Sequence, residues 1–141
     1  MSEQSSATMT EIIAEFKVTR WDETPYDEPA EGPKLTRVEV DKTFTGLIEG
    51  TSVAEILTSQ AAKGRGYVGS ERFVGTVMGK RGSLVFQHGG LDNGRETPST
   101  FGSIVPGSGT GDLEGYEGLI KFVHDDSGAR AIMEVAFPEG R

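Results

Sequence analysis

The 141-residue sequence contains no cysteine and only two histidines. The absence of cysteine excludes disulfides, thiolate metal sites and cysteine nucleophiles, and it agrees with a reducing compartment. Two histidines are too few for a multi-histidine metal site. We therefore expect neither a metal nor a cofactor.

Basic residues are also scarce, because 14 Lys and Arg stand against 22 Asp and Glu, for a formal net charge of −8. This charge repels nucleic-acid phosphates and anionic membrane surfaces, and no stripe of Lys or Arg offers a local exception. No run of about 18 apolar residues is present, and residues 1–10 lack the basic and apolar regions of a secretion signal. We expect a cytoplasmic protein without nucleic-acid or membrane partners.

The length predicts a single domain, since globular domains commonly have about 100–150 residues. Residues 1–11 are rich in Ser, Thr and Gln and are predicted to form a flexible leader, followed by one domain over residues 12–141. From residue 12 onward, apolar and polar residues alternate with the period of a β-strand.

Eight strands are predicted from this alternation. The first covers residues 12–21, and a second, long strand places Val38, Val40, Phe44 and Ile48 on one face, with Lys42 among them. The others cover residues 51–62, 67–79, 82–88, 97–105, 119–124 and 130–137, separated by turn residues at Lys63-Gly64, Lys80-Arg81, Asp92-Asn93-Gly94, 107–118 and 125–128.

Residues 22–33 hold five acidic residues, three prolines and a glycine, a composition that cannot continue a strand ladder. We expect a long loop here, which is either simply solvated or a lid over a site. Trp21 and Tyr26 flank this loop, where they could pack onto a ligand or anchor the loop.

Closely spaced strands without a long amphipathic helix predict an all-β domain, either a closed antiparallel barrel or a sandwich. Fifteen of the twenty glycines lie between Gly64 and Gly118, many inside strand segments, where glycine marks bends and bulges. This favours a barrel of eight strands, whose interior is either filled by side chains or able to hold one small ligand.

Six segments resemble a bacterial family known only as domain of unknown function 3224. They are WDETPY (21–26), PKLTR (33–37), KTFTGLIEG (42–50), VGSERFVGT (68–76), GSLVFQHGG (82–90) and VPGSGTGDLEG (105–115). The resemblance covers about residues 16–137. It implies a closed, antiparallel, eight-stranded barrel of the allene oxide cyclase-like type, similar to lipocalin-like small barrels, and it supplies no activity.

The segment GTGDLEG (109–115) is also similar to the G-T-G-x-F-x-G turn of plant dirigent proteins and cyclases. Those proteins steer reactive small molecules in a hydrophobic cavity, so the similarity implies an enclosed apolar ligand, although fold does not fix function. A phosphate loop is disfavoured, because no Lys-Ser or Lys-Thr follows at the required spacing and the context is strand-turn-strand. We interpret the run as a tight turn with a bulge.

Tyr67, Glu71 and Phe73 share one face of their predicted strand. If that face points inward, apolar surroundings would raise the pKa of Glu71 and make it a general acid or base. If it points outward, Glu71 is solvated or paired with a surface cation. Lys42, on its own apolar face, could pair with Glu71, form a Schiff base, or extend its ammonium to the rim.

His88 shares a face with Leu84 and Phe86, whereas Gln87 lies on the opposite face. His88 could exchange a proton with a ligand or cap the strand end. Glu71 and His88 are the catalytic candidates. The ligand-binding candidates are Tyr67, Gln87, Lys42, Trp21 and Tyr26.

Three functions fit these residues. The first is binding of a small apolar or amphipathic molecule inside the barrel. The second is an isomerase or cyclase in which Glu71 or His88 moves a proton. The third is a filled barrel that acts through assembly. Because several strands carry apolar residues on both faces, as at Ile56/Leu57, Val85/Phe86 and Ile132/Met133, we expect a homo-oligomer, with a dimer favoured.

Overall fold

A computed structural model describes residues 9–138, which form nine antiparallel β-strands. The strands are β1 (Thr10–Asp27), β2 (Lys34–Gly46), β3 (Ile48–Ala61), β4 (Gly64–Val77), β5 (Lys80–Asp92), β6 (Ser99–Ile104), β7 (Thr110–Gly111), β8 (Glu117–Asp125) and β9 (Gly128–Ala136). The all-β prediction is confirmed. Over the same residues there is no helix with the length and hydropathy needed to cross a membrane.

All nine strands belong to one sheet that forms a ring. The paired neighbours run from β1 through β2, β3, β4, β5, β6, β8 and β9, and β9 pairs again with β1. The ring depends on the β4–β5 hairpin, in which Arg65 pairs with Asp92 at one end and Val77 with Lys80 at the other. The two-residue β7 adds to β5 and comes from the glycine-rich run predicted as a turn. The fold is therefore barrel-like.

Alternation along each strand builds the interior of the ring. In β2, Thr36, Val38, Val40, Lys42 and Phe44 are all buried, while the residues between them are half-buried or, at Arg37, exposed. The largest group of packed apolar side chains comes from most of the other strands and includes Ile12, Ile48, Phe73, Val77, Leu84, Phe86, Ile104, Ile120 and Met133. Burial of these side chains is the main favourable term in folding.

The glycine-rich segment, residues 107–118, covers one end of the ring. It inserts Leu113, which is fully buried, and Tyr116, which is almost so, into the main core. Gly109 makes this path possible, because a Cβ there would collide with the carbonyl oxygen of Leu113. One end of the ring is therefore filled with apolar side chains.

The strand β1 is longer in both directions than predicted. It includes Thr10 and Glu11, which were assigned to the leader, while residues 1–8 lie outside the described part of the chain. It also continues to Asp27, through the segment expected to be a loop. Proline is tolerated at Pro25 because this half of β1 pairs only with β2, and the register shifts between Pro25 and Asp27.

A bulge at Thr19 changes which side chains of β1 face the interior. Val18 pairs with Lys42 and Arg20 pairs with Asp41, so Thr19 has no partner residue on β2. Before the bulge the even-numbered residues point inward, and after it Trp21 lies beside the buried Val40. Bulges commonly re-aim side chains in this way.

One predicted strand end and one predicted turn were wrong. The long second strand ends at Gly46, whose φ is 106°, so that Ile48 begins β3 although it is buried as expected. The turn placed at Lys80-Arg81 lies instead at Met78-Gly79, where both residues have positive φ, as a type I′ hairpin requires. Methionine is an unusual residue for this conformation, which explains why the sequence did not reveal the turn.

Candidate functional site

A pocket of about 640 Å³ opens at the end of the ring opposite Leu113. Its volume is within the range of small-molecule sites. Apolar and aromatic side chains form most of its wall: Phe16, Val18, Trp21, Val40, Ile56, Tyr67, Leu91 and Phe122. Polar side chains stand around its mouth: Glu23, Thr58, Gln60, Arg65, Asp92, Ser99, Thr100 and His124.

Five polar side chains form a connected network at the inner end of the pocket. Oε1 of Glu71 lies 2.9 Å from Nζ of Lys42 and 2.8 Å from Nε2 of His88. Oε2 of Glu71 accepts a hydrogen bond from Ser52 at 2.5 Å. The other ring nitrogen of His88, Nδ1, lies 2.9 Å from the Tyr67 hydroxyl. A hydrogen-bonded chain therefore runs from the buried carboxylate to a phenol that lines the pocket.

The carboxylate of Glu71 is ionised. Burial alone would raise its pKa, but the hydrogen bond from His88, the charge of Lys42 and the hydrogen bond from Ser52 together lower it to about 2. The predicted rise of the pKa of Glu71 was therefore wrong, because the hydrogen bonds and the charge of Lys42 outweigh desolvation. Glu71 is 1% exposed and does not line the pocket, so only its neighbours separate its carboxylate from the pocket.

Lys42 lies between two aromatic rings. Its Nζ is 3.8 Å from the ring centroid of Phe122 and 4.9 Å from that of Phe16. Burial lowers the pKa of Lys42, and the charge of Glu71 opposes this effect. Cation–π contacts and the ion pair compensate for the loss of water around the ammonium. Lys42 is therefore paired with Glu71, which was one of its three sequence alternatives, and it lines the inner pocket.

Burial and the negative charge of Glu71 raise the pKa of Tyr67 to about 12. The phenol is therefore neutral in the physiological range and can donate one hydrogen bond while accepting another. Its ring packs edge-on to His88, with ring centroids 5.5 Å apart.

A second polar group holds Trp21 at the mouth. Glu23 accepts hydrogen bonds from the indole nitrogen of Trp21 at 3.1 Å, from Thr36 at 2.8 Å and from Gln60 at 2.6 Å. These bonds lower the pKa of Glu23. Trp21 is 55% exposed and lines the pocket.

The structure brings together five of the seven predicted site residues. Tyr67, His88, Lys42 and Trp21 line the pocket, and Glu71 lies behind them. Gln87 does not belong to this group, because it is exposed on the outer face, where it donates a hydrogen bond to Ser70. Tyr26 is 57% exposed and does not line the pocket, because the extended β1 carries it past the mouth.

Sequence reasoning missed Ser52, Glu23 and Gln60. Ser52 alternates with Ala54 and Ile56 on one strand face, so a polar residue on an apolar face was a usable signal there. Glu23 gave no such signal, because its segment resembled a loop. Within residues 9–138, no group of three or more His, Asp or Glu side chains is arranged to hold a metal ion.

The fold and the sequence both match proteins of unknown function. A crystal structure of a protein of unknown function from the DUF3224 family of Shewanella oneidensis MR-1 is similar over 92% of this chain and 98% of that chain, with a TM-score of 0.78 and 30% identity. No curated protein matches the sequence. The family described as protein of unknown function (DUF3224) matches residues 12–136, and the chain belongs to this family.

Proposed function

We propose that this protein binds a small, largely apolar molecule in the pocket, with the polar end of the molecule at Tyr67, His88 and Lys42. The observation that carries the proposal is a pocket of about 640 Å³ that ends on a buried network of charged and polar groups. A buried ion pair commonly adds no stability over apolar side chains of the same volume. Its position at the base of a cavity therefore favours a role in recognition.

Native mass spectrometry of protein purified gently from its own host tests this proposal. We expect one small molecule per subunit, released on denaturation. The variant Val18→Phe places a ring in the mouth of the pocket and should remove the bound molecule, whereas Val53→Phe, on the outer face of β3, should retain it. An unoccupied wild-type mass, with no change of Trp21 fluorescence on addition of apolar compounds, would contradict stable binding.

Proton transfer to a bound molecule is a second candidate function, favoured by the chain from Glu71 through His88 to Tyr67. In an isomerase or cyclase, Tyr67 would take a proton from the substrate while its own proton passes to His88 Nδ1. In the reverse direction, His88 Nδ1–H would return a proton to Tyr67 as Tyr67 protonates the substrate. Glu71 would orient the imidazole without touching the substrate. Tyr67→Phe would then abolish turnover, because it removes the hydroxyl that exchanges the proton.

We also propose that the ring is a closed, eight-stranded barrel of the allene oxide cyclase-like type. Every strand except β7 has a hydrogen-bonded neighbour on both sides, which supports closure. Amide hydrogen exchange would test it, because a closed ring protects β4 and β5 as well as β2 and β3, whereas a sheet opened between β4 and β5 leaves the facing edges of both strands unprotected.

A homo-oligomer is a further proposal, supported by an apolar row on the outer face. Leu57 pairs with Val68, Val68 with Gly89, and Gly89 with Phe101, across four neighbouring strands. Phe101 lies over Gly89, and Leu57, Val68 and Phe101 are each about half exposed. Contiguous apolar surface of this kind is typical of contacts between proteins.

A further inference from the structure

The inner end of the pocket offers a ligand different hydrogen bonds in two protonation states of His88. The ionised Glu71 can only accept hydrogen bonds, so Nε2 of His88, 2.8 Å from Oε1, carries a proton in both states. Only Nδ1, which faces the Tyr67 hydroxyl at 2.9 Å, can gain or lose one.

The state of Nδ1 decides what Tyr67 presents to the pocket. When His88 is neutral, Nδ1 accepts a hydrogen bond from the Tyr67 hydroxyl. Tyr67 then offers a ligand only an oxygen lone pair. When His88 is an imidazolium, Nδ1–H donates to the phenol oxygen, and the Tyr67 O–H is free to donate into the pocket. One proton therefore converts the phenol from an acceptor to a donor.

Charge favours the second state when the ligand is an anion. With neutral His88, the charges of Glu71 and Lys42 cancel. With protonated His88, the group carries one net positive charge in a site where all three side chains are at most 6% exposed. Lys42 adds further N–H groups, since one of its three donors is used by Glu71.

Among residues 9–138, Glu71 is the one carboxylate bonded to His88, and the other carboxylates that line the pocket, Glu23 and Asp92, stand at its mouth. On β4, Tyr67 and Glu71 both contact the His88 ring. On β2, Lys42 contacts Glu71. On β6, Gly102 is the residue paired with His88. β8 supplies Phe122, whose ring centroid is 4.4 Å from that of His88, and His124 nearer the mouth.

We propose that the pocket binds an apolar molecule that ends in a carboxylate, together with one proton, which His88 Nδ1 takes from solvent. The carboxylate accepts hydrogen bonds from Tyr67 and Lys42, and the apolar part lies along the aromatic wall toward Trp21. The N–H bond on His88 forms as the proton leaves a donor in the solvent, and no other covalent bond changes. This inference rests on the proposed function and names its ligand class.

Calorimetric titration with octanoate and 1-octanol tests the proposal, because the two probes share a chain length and differ in the head group. We expect octanoate to bind with uptake of about one proton, seen as a difference in heat between phosphate and Tris buffers, and with an affinity that falls as the pH rises. 1-Octanol should bind more weakly and without proton uptake.

Variants locate the carboxylate. His88→Gln should abolish proton uptake and weaken octanoate binding about tenfold or more, while leaving 1-octanol binding nearly unchanged. Tyr67→Phe should weaken octanoate binding similarly. Gln87→Ala, next to His88 on the outer face, should change neither. Thermal unfolding of each variant checks that it is folded.

Three results would overturn the proposal. Octanoate binding without proton uptake would remove the role of His88, and loss of octanoate binding in Arg65→Gln but not in His88→Gln would place the carboxylate at the rim. Tight binding of 1-octanol alone would refute the carboxylate while leaving the proposed function intact. If neither probe binds or alters Trp21 fluorescence, this inference and the proposed function fail together.

Discussion

The ammonium of Lys42 lies 2.9 Å from the carboxylate of Glu71, inside the ring, on two strands that are not neighbours. β3 separates β2 from β4, and its residue Ser52 donates to the same carboxylate. The inner pocket is therefore tied together across three strands, and removing one charge leaves the other buried.

Replacing Glu71 with Gln should destabilise the protein by about 3–5 kcal/mol, because it leaves the Lys42 ammonium uncompensated. Urea unfolding measures the change. The double variant Lys42→Met/Glu71→Gln should lose less than the sum of the single variants, since it removes both charges. Glu55→Gln, exposed on β3, should stay within about 0.5 kcal/mol of wild type. Additive losses would contradict the coupling.

The stability should also fall in acid because of Glu71. Its pKa is lowered in the folded protein from 4.5 to about 2, so its contribution is complete above the unfolded value and disappears as the pH falls toward 2. The shift corresponds to roughly 3 kcal/mol. Urea unfolding at intervals between neutral pH and pH 2 should show a smaller loss for Glu71→Gln than for wild type, and equal losses would contradict this role.

Tyr67 should be the phenol that ionises near pH 12. Its raised pKa means that its contribution to stability is present below the unfolded pKa of about 10 and is lost as the pH rises through about 12. An ultraviolet absorbance titration detects this ionisation. Tyr67→Phe should remove the last step of the titration, and an unchanged last step would show that Tyr67 is not the group concerned.

Leu113→Ala should cost about 2–5 kcal/mol, because this side chain is fully buried and fills the closed end of the ring. Chemical denaturation provides the measurement. The matched variant Leu119→Ala changes a side chain that is half exposed on β8 and should cost much less. Equal costs would mean that the glycine-rich segment does not pack into the core.

Val68→Lys should disrupt the proposed oligomer, because it places a charge in the centre of the outer apolar row. Light scattering at micromolar concentration should give a multimer for wild type and a monomer for the variant. Val74→Lys, also exposed on the outer face of β4, should remain a multimer if only the defined row forms the contact. A monomeric wild type would refute the oligomer.

Much of the site was predictable because strand alternation shows which residues share a face. It grouped Tyr67 with Glu71 and placed Lys42 among apolar residues. It did not tell which face of each strand is the inner one, so Gln87 remained a candidate until the structure placed it outside. Nor did it reveal the bulge at Thr19, which turns Trp21 toward the pocket. The bulge is defined by the register between β1 and β2, and alternation within β1 does not show that register.

The sequence by itself determined the all-β class, most of the strands and the polar residues that interrupt apolar faces, because these follow from local alternation and turn chemistry. Only the tertiary structure decided the meeting of Lys42, Glu71 and His88 and the filling of one end by Leu113. These contacts join residues far apart in the chain, and their geometry depends on the register of every strand around the ring. Local patterns do not encode that register.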